Sequence, residues 1–371
     1  AVCLGQMIQL TDPACMRPYV PLIAGPLIRV MGDRFSEIVK AAILKTMGIL
    51  LDNCGQFCKP FVNQLQTTFI RSLNDPSEKV RASAALNLGK LMVVSTRIDQ
   101  LVTELLNTFL TSDGERKGTL LDALSNVLST SGDRVSEKTL LSCEEKIIAF
   151  LKDIGSHRNI ASSIGDVLAL TYNYLPTQRF EEANFLSVLT GMSDAVVQSS
   201  VLNSLLKNCI ERFNSHQAEV MKLLESFVKS KEEQIRFNGA VAIALISESD
   251  SALWSANQKV LLGHWVALLS DPVSANKLQV LEALKNFAKR SPSECENYLA
   301  ILVPVLMERV KDRSSLPVKL AAERTLFYVL QVKSNPNLLT DYANKVGQAQ
   351  ARPVMDYCKR VLSKLTADDV E

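Results

Sequence analysis

Apolar helix positions interrupted by short polar turns recur along the whole chain. Each copy starts with a polar turn, continues with Val, Ile or a substitute, often adds a basic residue, and ends in an apolar helix. The clearest copies occupy residues 74–82, 231–237 and 312–320. The copies can be registered at nine positions, which are Val39, Val80, Arg116, Asn159, Val197, Ile235, Lys277, Val318 and Val354.

The second copy shows how one repeat is predicted to fold. Apolar residues recur at steps of four from Phe61 to Leu73 and predict a first helix, helix A. Pro76 ends this helix, because the residue before a proline is pushed out of the helical region. Apolar residues from Val80 to Leu91 then predict a second helix, helix B.

The repeat length predicts the fold class. Steps of about 36 to about 43 residues are typical of HEAT or armadillo units. We predict an all-α chain: an α-solenoid of about nine HEAT-like two-helix repeats that forms a curved superhelix, as a single array over residues 1–371. The third and fourth copies are the least regular, because Gly114 and Gly118 begin one helix B and no Val-Arg step occurs at 153–159.

Composition and charge narrow the class of partner. Hydrophobic residues make up 47% and aromatic residues 6% of the chain, which favours helix-on-helix packing over a β-sandwich. The 41 basic and 39 acidic residues give a net charge of +2, whereas nucleic-acid-binding domains usually carry a larger or more clustered excess. This near-neutral net charge favours protein partners and argues against direct nucleic-acid contact. A single basic face within a neutral total would still be compatible with such contact.

Motifs for chemistry are absent from the sequence. It contains no phosphate loop, nucleophile elbow, His-Glu-x-x-His or Cys-x-x-Cys motif. The histidines are isolated, and adjacent carboxylates such as Glu144 and Glu145 are interpreted as solvated faces. Cys54 and Cys58 would share one helix face if the helix continues through Gly55, but no second pair or nearby histidine completes a zinc site. We therefore predict no catalytic residue, no cofactor site, no metal site and no enzyme activity.

The cysteines and the chain ends suggest a compartment and a context. Most of the eight cysteines stand alone in apolar helical patterns, as expected of buried thiols in a reduced, cytoplasmic protein. No stretch approaches the ~18 apolar residues of a membrane helix. The chain begins Ala-Val-Cys-Leu without a signal-peptide region, so we expect an internal piece of a longer protein.

Basic residues in or beside the repeated pattern are the candidate partner-binding residues. Asp75 and Arg81 flank one predicted turn, so stacked repeats could build a ladder of such pairs. An inter-repeat tie of this kind contributes little when it is exposed to solvent. Binding of a partner is the alternative, and the sequence leaves both open. The candidates are Lys40, Arg71, Arg81, Arg116, Arg236 and Lys319.

Two segments, 26–35 and 61–91, resemble one family of large HEAT proteins, and residues 101–106 extend the match. The resemblance is to the C-terminal region of the general control non-derepressible translational activators. These are ribosome-associated co-activators of the kinase that phosphorylates translation initiation factor two alpha. The resemblance is specific from about residue 18 to about residue 110, and beyond that point mainly the repeat rhythm persists.

This resemblance implies a non-catalytic scaffold. It would bind the RWD domain of the kinase and support its activation on ribosomes during amino-acid starvation or stalling, with ribosome contact made by the full-length protein. Residues 1–150 are expected to overlap the RWD-binding region, and residues 151–371 to form a C-terminal HEAT extension. The alternative is a generic HEAT adaptor of the phosphatase-scaffold or nuclear-transport-receptor type.

Overall fold

The computed structural model describes residues 1–32, 35–155, 157–182, 185–312, 314–331 and 337–362, and within these ranges it contains helices and no β-strand. Asp33, Arg34 and Arg313 of the sequence patterns lie outside the described residues. The chain divides into two compact units, unit 1 (Ala1–Cys209) and unit 2 (Ile210–Glu371), and each is described by itself.

Unit 1 consists of α-helices joined by short turns and three 3₁₀ segments. The 3₁₀ segments are Gly55–Phe61, Gly132–Arg134 and Arg158–Ile160. The α-helices are α1 (Val2–Leu10), α2 (Pro13–Met16), α3 (Val20–Met31), α4 (Glu37–Cys54), α5 (Val62–Ser72), α6 (Glu78–Met92), α7 (Ile98–Thr111), α8 (Gly114–Ser131), α9 (Glu137–Lys152), α10 (Ala161–Tyr174), α11 (Thr177–Glu182), α12 (Phe185–Thr190) and α13 (Ala195–Cys209).

Unit 2 continues the alternation of helices A and B after a 3₁₀ segment at Ile210–Phe213. Its α-helices are α14 (Gln217–Val228), α15 (Glu233–Glu248), α16 (Ala252–Leu268), α17 (Ser274–Arg290), α18 (Pro292–Glu296), α19 (Leu299–Val310), α20 (Leu316–Val329), α21 (Leu338–Val346) and α22 (Gln348–Leu362).

Each of the nine registered positions lies in or directly before a helix B, so the predicted all-α solenoid of HEAT-like repeats is confirmed. Each helix B packs on its own helix A, and most B helices also pack on the helix B of a neighbouring repeat. In unit 1 these stacks join α4 to α6, α6 to α8, α8 to α10 and α10 to α13. In unit 2 they join α15 to α17 and α17 to α20.

The core lies between the two helices of each repeat. In the second repeat Leu65 and Phe69 of α5 and Val80 and Leu88 of α6 are almost completely buried, as the apolar stripes predict. The glycines of the third repeat do not disturb it, since α8 begins at Gly114 and runs on for 18 residues. The helix A of the fifth repeat is described as α11 and α12, and residues 183 and 184 between them lie outside the described residues.

The register of three copies differs by one residue from the sequence assignment. In the third copy Arg116 is exposed and Lys117 is buried. In the seventh copy Asn276 takes the inward position of Ile235, and Lys277 takes the basic position of Arg236. In the fourth copy Asn159 is exposed and Ile160 is buried. These three assignments were therefore wrong by one residue. In the third and seventh copies a polar side chain, Lys117 or Asn276, occupies the inward position, whereas in the fourth copy the apolar Ile160 occupies it and no basic residue follows.

Stacking of the B helices brings their backbones close together. A Cβ atom added to Gly89 of α6 would lie 2.6 Å from the carbonyl oxygen of Asn126 in α8. The side chain of Asn87 donates a hydrogen bond of 2.8 Å to the carbonyl of Leu44, one repeat earlier. Thr325 makes the same kind of bond, 2.9 Å long, to the carbonyl of Leu281. Small and short polar residues therefore set the distance between repeats.

We predict that Gly89→Ala destabilises the protein by about 2 kcal/mol, because the added methyl group meets a main-chain carbonyl that cannot turn aside. Gly263→Ala is the matched control: Gly263 lies inside α16, and its added Cβ would meet nothing within 4 Å. The control should gain roughly 0.5–1 kcal/mol from helix propensity. Urea denaturation followed by circular dichroism measures both, and equal effects of the same sign would refute the close-packing argument.

Candidate functional site

The basic residue of the repeated pattern reaches the turn of the following repeat. Lys40 Nζ lies 2.7 Å from Asp75 Oδ2, and Arg236 Nε lies 2.6 Å from Asp271 Oδ2. In each pair the acidic residue follows the basic residue by 35 positions. Three further contacts complete this set, which we call the inter-repeat ladder: Lys277–Asp312, Arg81–Glu115 and Arg158–Asp194.

The two ladder arginines of the clearest copies also close the turn that precedes them. Arg81 donates from Nη1 to the carbonyls of Asp75 and Pro76, at 3.1 and 2.9 Å. Arg236 donates to the carbonyls of Ser230 and Lys231 at the same two distances. Carbonyl groups just beyond a helix end lack helical partners, so the arginine satisfies them. This geometry is the physical reason for the Val-Arg step.

The predicted pairing of Asp75 with Arg81 across one turn needs correction. Arg81 contacts the main-chain carbonyl of Asp75, whereas the carboxylate accepts hydrogen bonds from Lys40 and from the N–H of Ser77. The ladder therefore joins successive repeats, and it does not pair the two side chains of one turn. The Arg81–Glu115 contact is the weakest of the ladder, since Nη2 of Arg81 lies 4.0 Å from the exposed Glu115 carboxylate.

The ladder lowers the pKa of its buried carboxylates. Burial by itself would raise the pKa of Asp271, but hydrogen bonds from Arg236 and from the N–H of Val273 hold that pKa below its ordinary value. Burial also opposes ionisation of Asp75, and Lys40 and the N–H of Ser77 again produce a lowered pKa. Both carboxylates therefore remain charged and paired when the protein is folded.

The six predicted partner-binding residues fall into different environments. Lys40, Arg81 and Arg236 belong to the ladder, and their side chains are 12–23% exposed. Arg71 is exposed in the last turn of α5, and Arg116 is exposed in the first turn of α8. Lys319 of α20 lines a cleft of about 460 Å³ in unit 2. An inter-repeat tie is thus confirmed for the three ladder residues, and partner binding by any of the six stays a prediction.

Glu144 is a buried charged residue that the sequence interpretation placed wrongly on a solvated face. It is completely buried on α9, where it accepts a 2.9 Å hydrogen bond from the hydroxyl of Tyr172 and a 2.8 Å bond from Nε of Arg179. Its neighbour Glu145 is exposed, as predicted. Tyr172 and Arg179 were not singled out in the sequence, because they are 28 and 35 residues away from their partner.

The cysteines and histidines do not combine into a reactive centre in the part of the chain that the structure describes. No group of three or more His, Cys, Asp or Glu residues there could hold a metal ion. Cys54 and Cys58 are buried, and burial raises the pKa of the Cys58 thiol to about 12. Burial lowers the pKa of His264. Among the described helices, none is long and apolar enough to cross a membrane.

We predict that Asp271→Asn costs about 2 kcal/mol of stability at pH 7, because it leaves the charge of Arg236 unpaired in a mostly buried position. The folded-state pKa of Asp271 lies below the unfolded-state value. Its stabilisation is therefore present above a pH of about 4 and disappears as the pH falls through the lowered folded value.

Urea denaturation of the native chain and the variant between pH 7 and pH 3 measures this effect. The stability difference should shrink towards acid pH. Glu225→Gln removes the exposed partner of Lys229 and is the matched control, for which little change is expected at any pH. A constant difference across the pH range would contradict the assigned pairing.

Comparisons with known proteins place this chain. A family model described as stalled ribosome sensor GCN1-like HEAT repeats matches residues 99–371, and a HEAT-repeat model matches residues 65–95. The expectation that mainly the repeat rhythm persists beyond residue 110 was therefore wrong, since the family model matches through residue 371. A crystal structure of importin β superimposes with a TM-score of 0.62 at 15% identity, covering 99% of this chain and 48% of that one. This likeness shows the fold alone.

Two curated relatives match essentially the whole chain. Protein ILITYHIA of Arabidopsis thaliana is 33% identical over 100% of this chain, and the eIF-2-alpha kinase activator GCN1 of Dictyostelium discoideum is 30% identical over 99% of it. The chain spans about 14% of the length of each relative. With the family model matching most of its residues, the chain belongs to the GCN1-like family of HEAT-repeat proteins.

Proposed function

We propose that this chain is a scaffold segment that binds the RWD domain of the kinase acting on initiation factor two alpha. In the full-length protein it would support activation of that kinase on ribosomes in the cytoplasm, during amino-acid starvation or stalling. The observation that carries the proposal is the match of the whole chain to a relative named as an eIF-2-alpha kinase activator, together with the stalled-ribosome-sensor family model.

The repeat architecture supports a binding role. Within each unit, ladder contacts join several pairs of successive repeats, and hydrogen bonds such as that from Asn87 to the Leu44 carbonyl join their B helices, so the side chains between these repeats are held in fixed positions. A preorganised surface binds a partner with a smaller loss of conformational entropy than a flexible one does. The ladder therefore acts in this proposal by fixing the surface, while more exposed residues contact the partner.

Arg71 and Arg116 are the candidates that the proposal assigns to the kinase contact. Both are exposed, and the structure shows no hydrogen bond or ion pair from either side chain within the described residues. Both lie within residues 1–150, the part of the chain that we propose overlaps the RWD-binding region. Residues 151–371 would then form the C-terminal HEAT extension.

We predict that the full chain binds the purified RWD domain of the kinase and that Arg71→Glu combined with Arg116→Glu weakens binding by about tenfold, since charge reversal at a contact creates repulsion. Biolayer interferometry at constant salt gives the dissociation constants. The matched control is Lys222→Glu combined with Lys345→Glu, which changes the net charge equally at exposed residues of unit 2. Equal losses in both double variants would overturn the assignment of the two arginines.

A second outcome bears on the proposal as a whole. If the full chain does not bind the RWD domain, whereas the segment that adjoins it upstream in a full-length relative does, the kinase contact lies outside this chain. The segment would then be an extension of the binding region.

A further inference from the structure

One edge of unit 1 carries cations that are not neutralised in the way the ladder residues are. In three successive repeats, the connection that leads from a helix B to the next helix A holds one cation. These cations are Lys59, Arg97 and Arg134. They follow one another at steps of 38 and 37 residues, so they hold equivalent positions in the repeat. All three are exposed and line one cleft of about 500 Å³.

The cleft has an excess of positive charge. Its lining contains these three cations and no Asp or Glu side chain. Within the described residues, the side chains of Lys59 and Arg97 form no hydrogen bond or ion pair. Arg134 is held in place by donating to the carbonyls of Met92 and Ser95, so its charge is fixed at one end of the cleft. Carboxylates and phosphates are the groups that such a row of cations would bind.

An apolar floor continues the cleft towards the first repeat. A neighbouring cleft of about 500 Å³ shares Val93 and Val94 with the cationic one and adds Phe57 and Pro13. Val93 is 55% exposed, so its side chain is accessible to a ligand in either cleft. Asp52 lines this second cleft, but Lys90 lies 2.5 Å from its carboxylate and neutralises it. We call the two clefts together the edge groove.

We infer that the edge groove is a docking site for an extended, acidic segment of a protein partner. Stacked helices lie about 8–10 Å apart, so successive cations of the row are separated by about the same distance. An extended chain advances about 3.3 Å per residue and covers that distance in three residues. An acidic residue at every third position would therefore match the three cations, while apolar side chains between them would cover Val93 and Val94.

A protein segment fits the groove better than RNA does. Single-stranded RNA is held by stacking of its bases on aromatic faces in addition to phosphate contacts. The floor beside the cations consists of Val93 and Val94, and its aromatic residue, Phe57, is already covered by the guanidinium of Arg17, 5.8 Å from the ring centre. The inference concerns a different surface from the kinase contact proposed above and does not depend on it.

The probe for this inference is a synthetic fluorescent heptapeptide with aspartate at its first, fourth and seventh positions and leucine at its second and fifth. Fluorescence polarisation with the full chain should give saturable binding. Lys59→Glu combined with Arg97→Glu should weaken it about tenfold, and Val93→Ser about threefold. A peptide with lysine in place of each aspartate should not bind.

The matched control is Lys79→Glu combined with Lys222→Glu, two exposed lysines outside the groove that give the same change in net charge. It should leave binding of the acidic peptide unchanged. Circular dichroism of each variant separates loss of binding from loss of folding; if the groove double variant fails to fold, Arg97→Gln alone replaces it.

Three results would overturn the inference. The first is the absence of peptide binding at millimolar protein, and the second is an equal loss in the control double variant, which would indicate general electrostatic attraction. The third is tighter binding of a labelled oligouridylate that is abolished by the groove variants and competes with the peptide, which would make the groove a nucleic-acid site. Loss of RWD binding in the kinase experiment would not affect any of these outcomes.

Discussion

The close contact between successive B helices is the constraint on which the other features depend. It requires a residue without a side chain at Gly89, which faces the backbone at Asn126, and it is held by side chains such as Asn87 that bond to a carbonyl one repeat away. Since each repeat packs only on its neighbours, the distance between two successive B helices sets the position of one repeat relative to the next. The distance from a basic residue to the next turn, and the distance between equivalent surface residues, both follow from it.

Basic residues are paired with carboxylates at one edge of unit 1 and lack such partners at the other edge. At the turns from helix A to helix B, cations such as Lys40 meet a carboxylate of the next repeat and become structural. At the connections from helix B to helix A, Lys59 and Arg97 have no such carboxylate in their cleft. Buried ion pairs add little net stability beyond holding geometry. The ladder edge therefore suits the fixing of repeats, and the other edge offers charge to a ligand.

Several features were predictable because they depend on local periodicity. The apolar stripes gave the helices, the breaks and the number of repeats, and the stripe residues from Leu65 to Leu88 are buried as expected. The one-residue errors at Arg116 and Lys277 arose where a polar residue replaces Val or Ile, so that hydrophobicity no longer marks the inward position; at Asn159 the inward residue is the next one, Ile160. The row at residues 59, 97 and 134 carries a detectable periodic signal, but it falls outside the Val-Arg pattern and was missed.

By itself the sequence determined the all-α repeat fold, the approximate place of every helix B and the resemblance to the family. These properties are encoded in the order of apolar residues within about 40 positions. Only the tertiary structure decided which cations are paired, that Glu144 is buried against Tyr172 and Arg179, and that one edge of unit 1 leaves its cations exposed. The reason is physical: charge pairing and burial depend on distances between residues of different repeats, and these distances exist only once the helices are stacked.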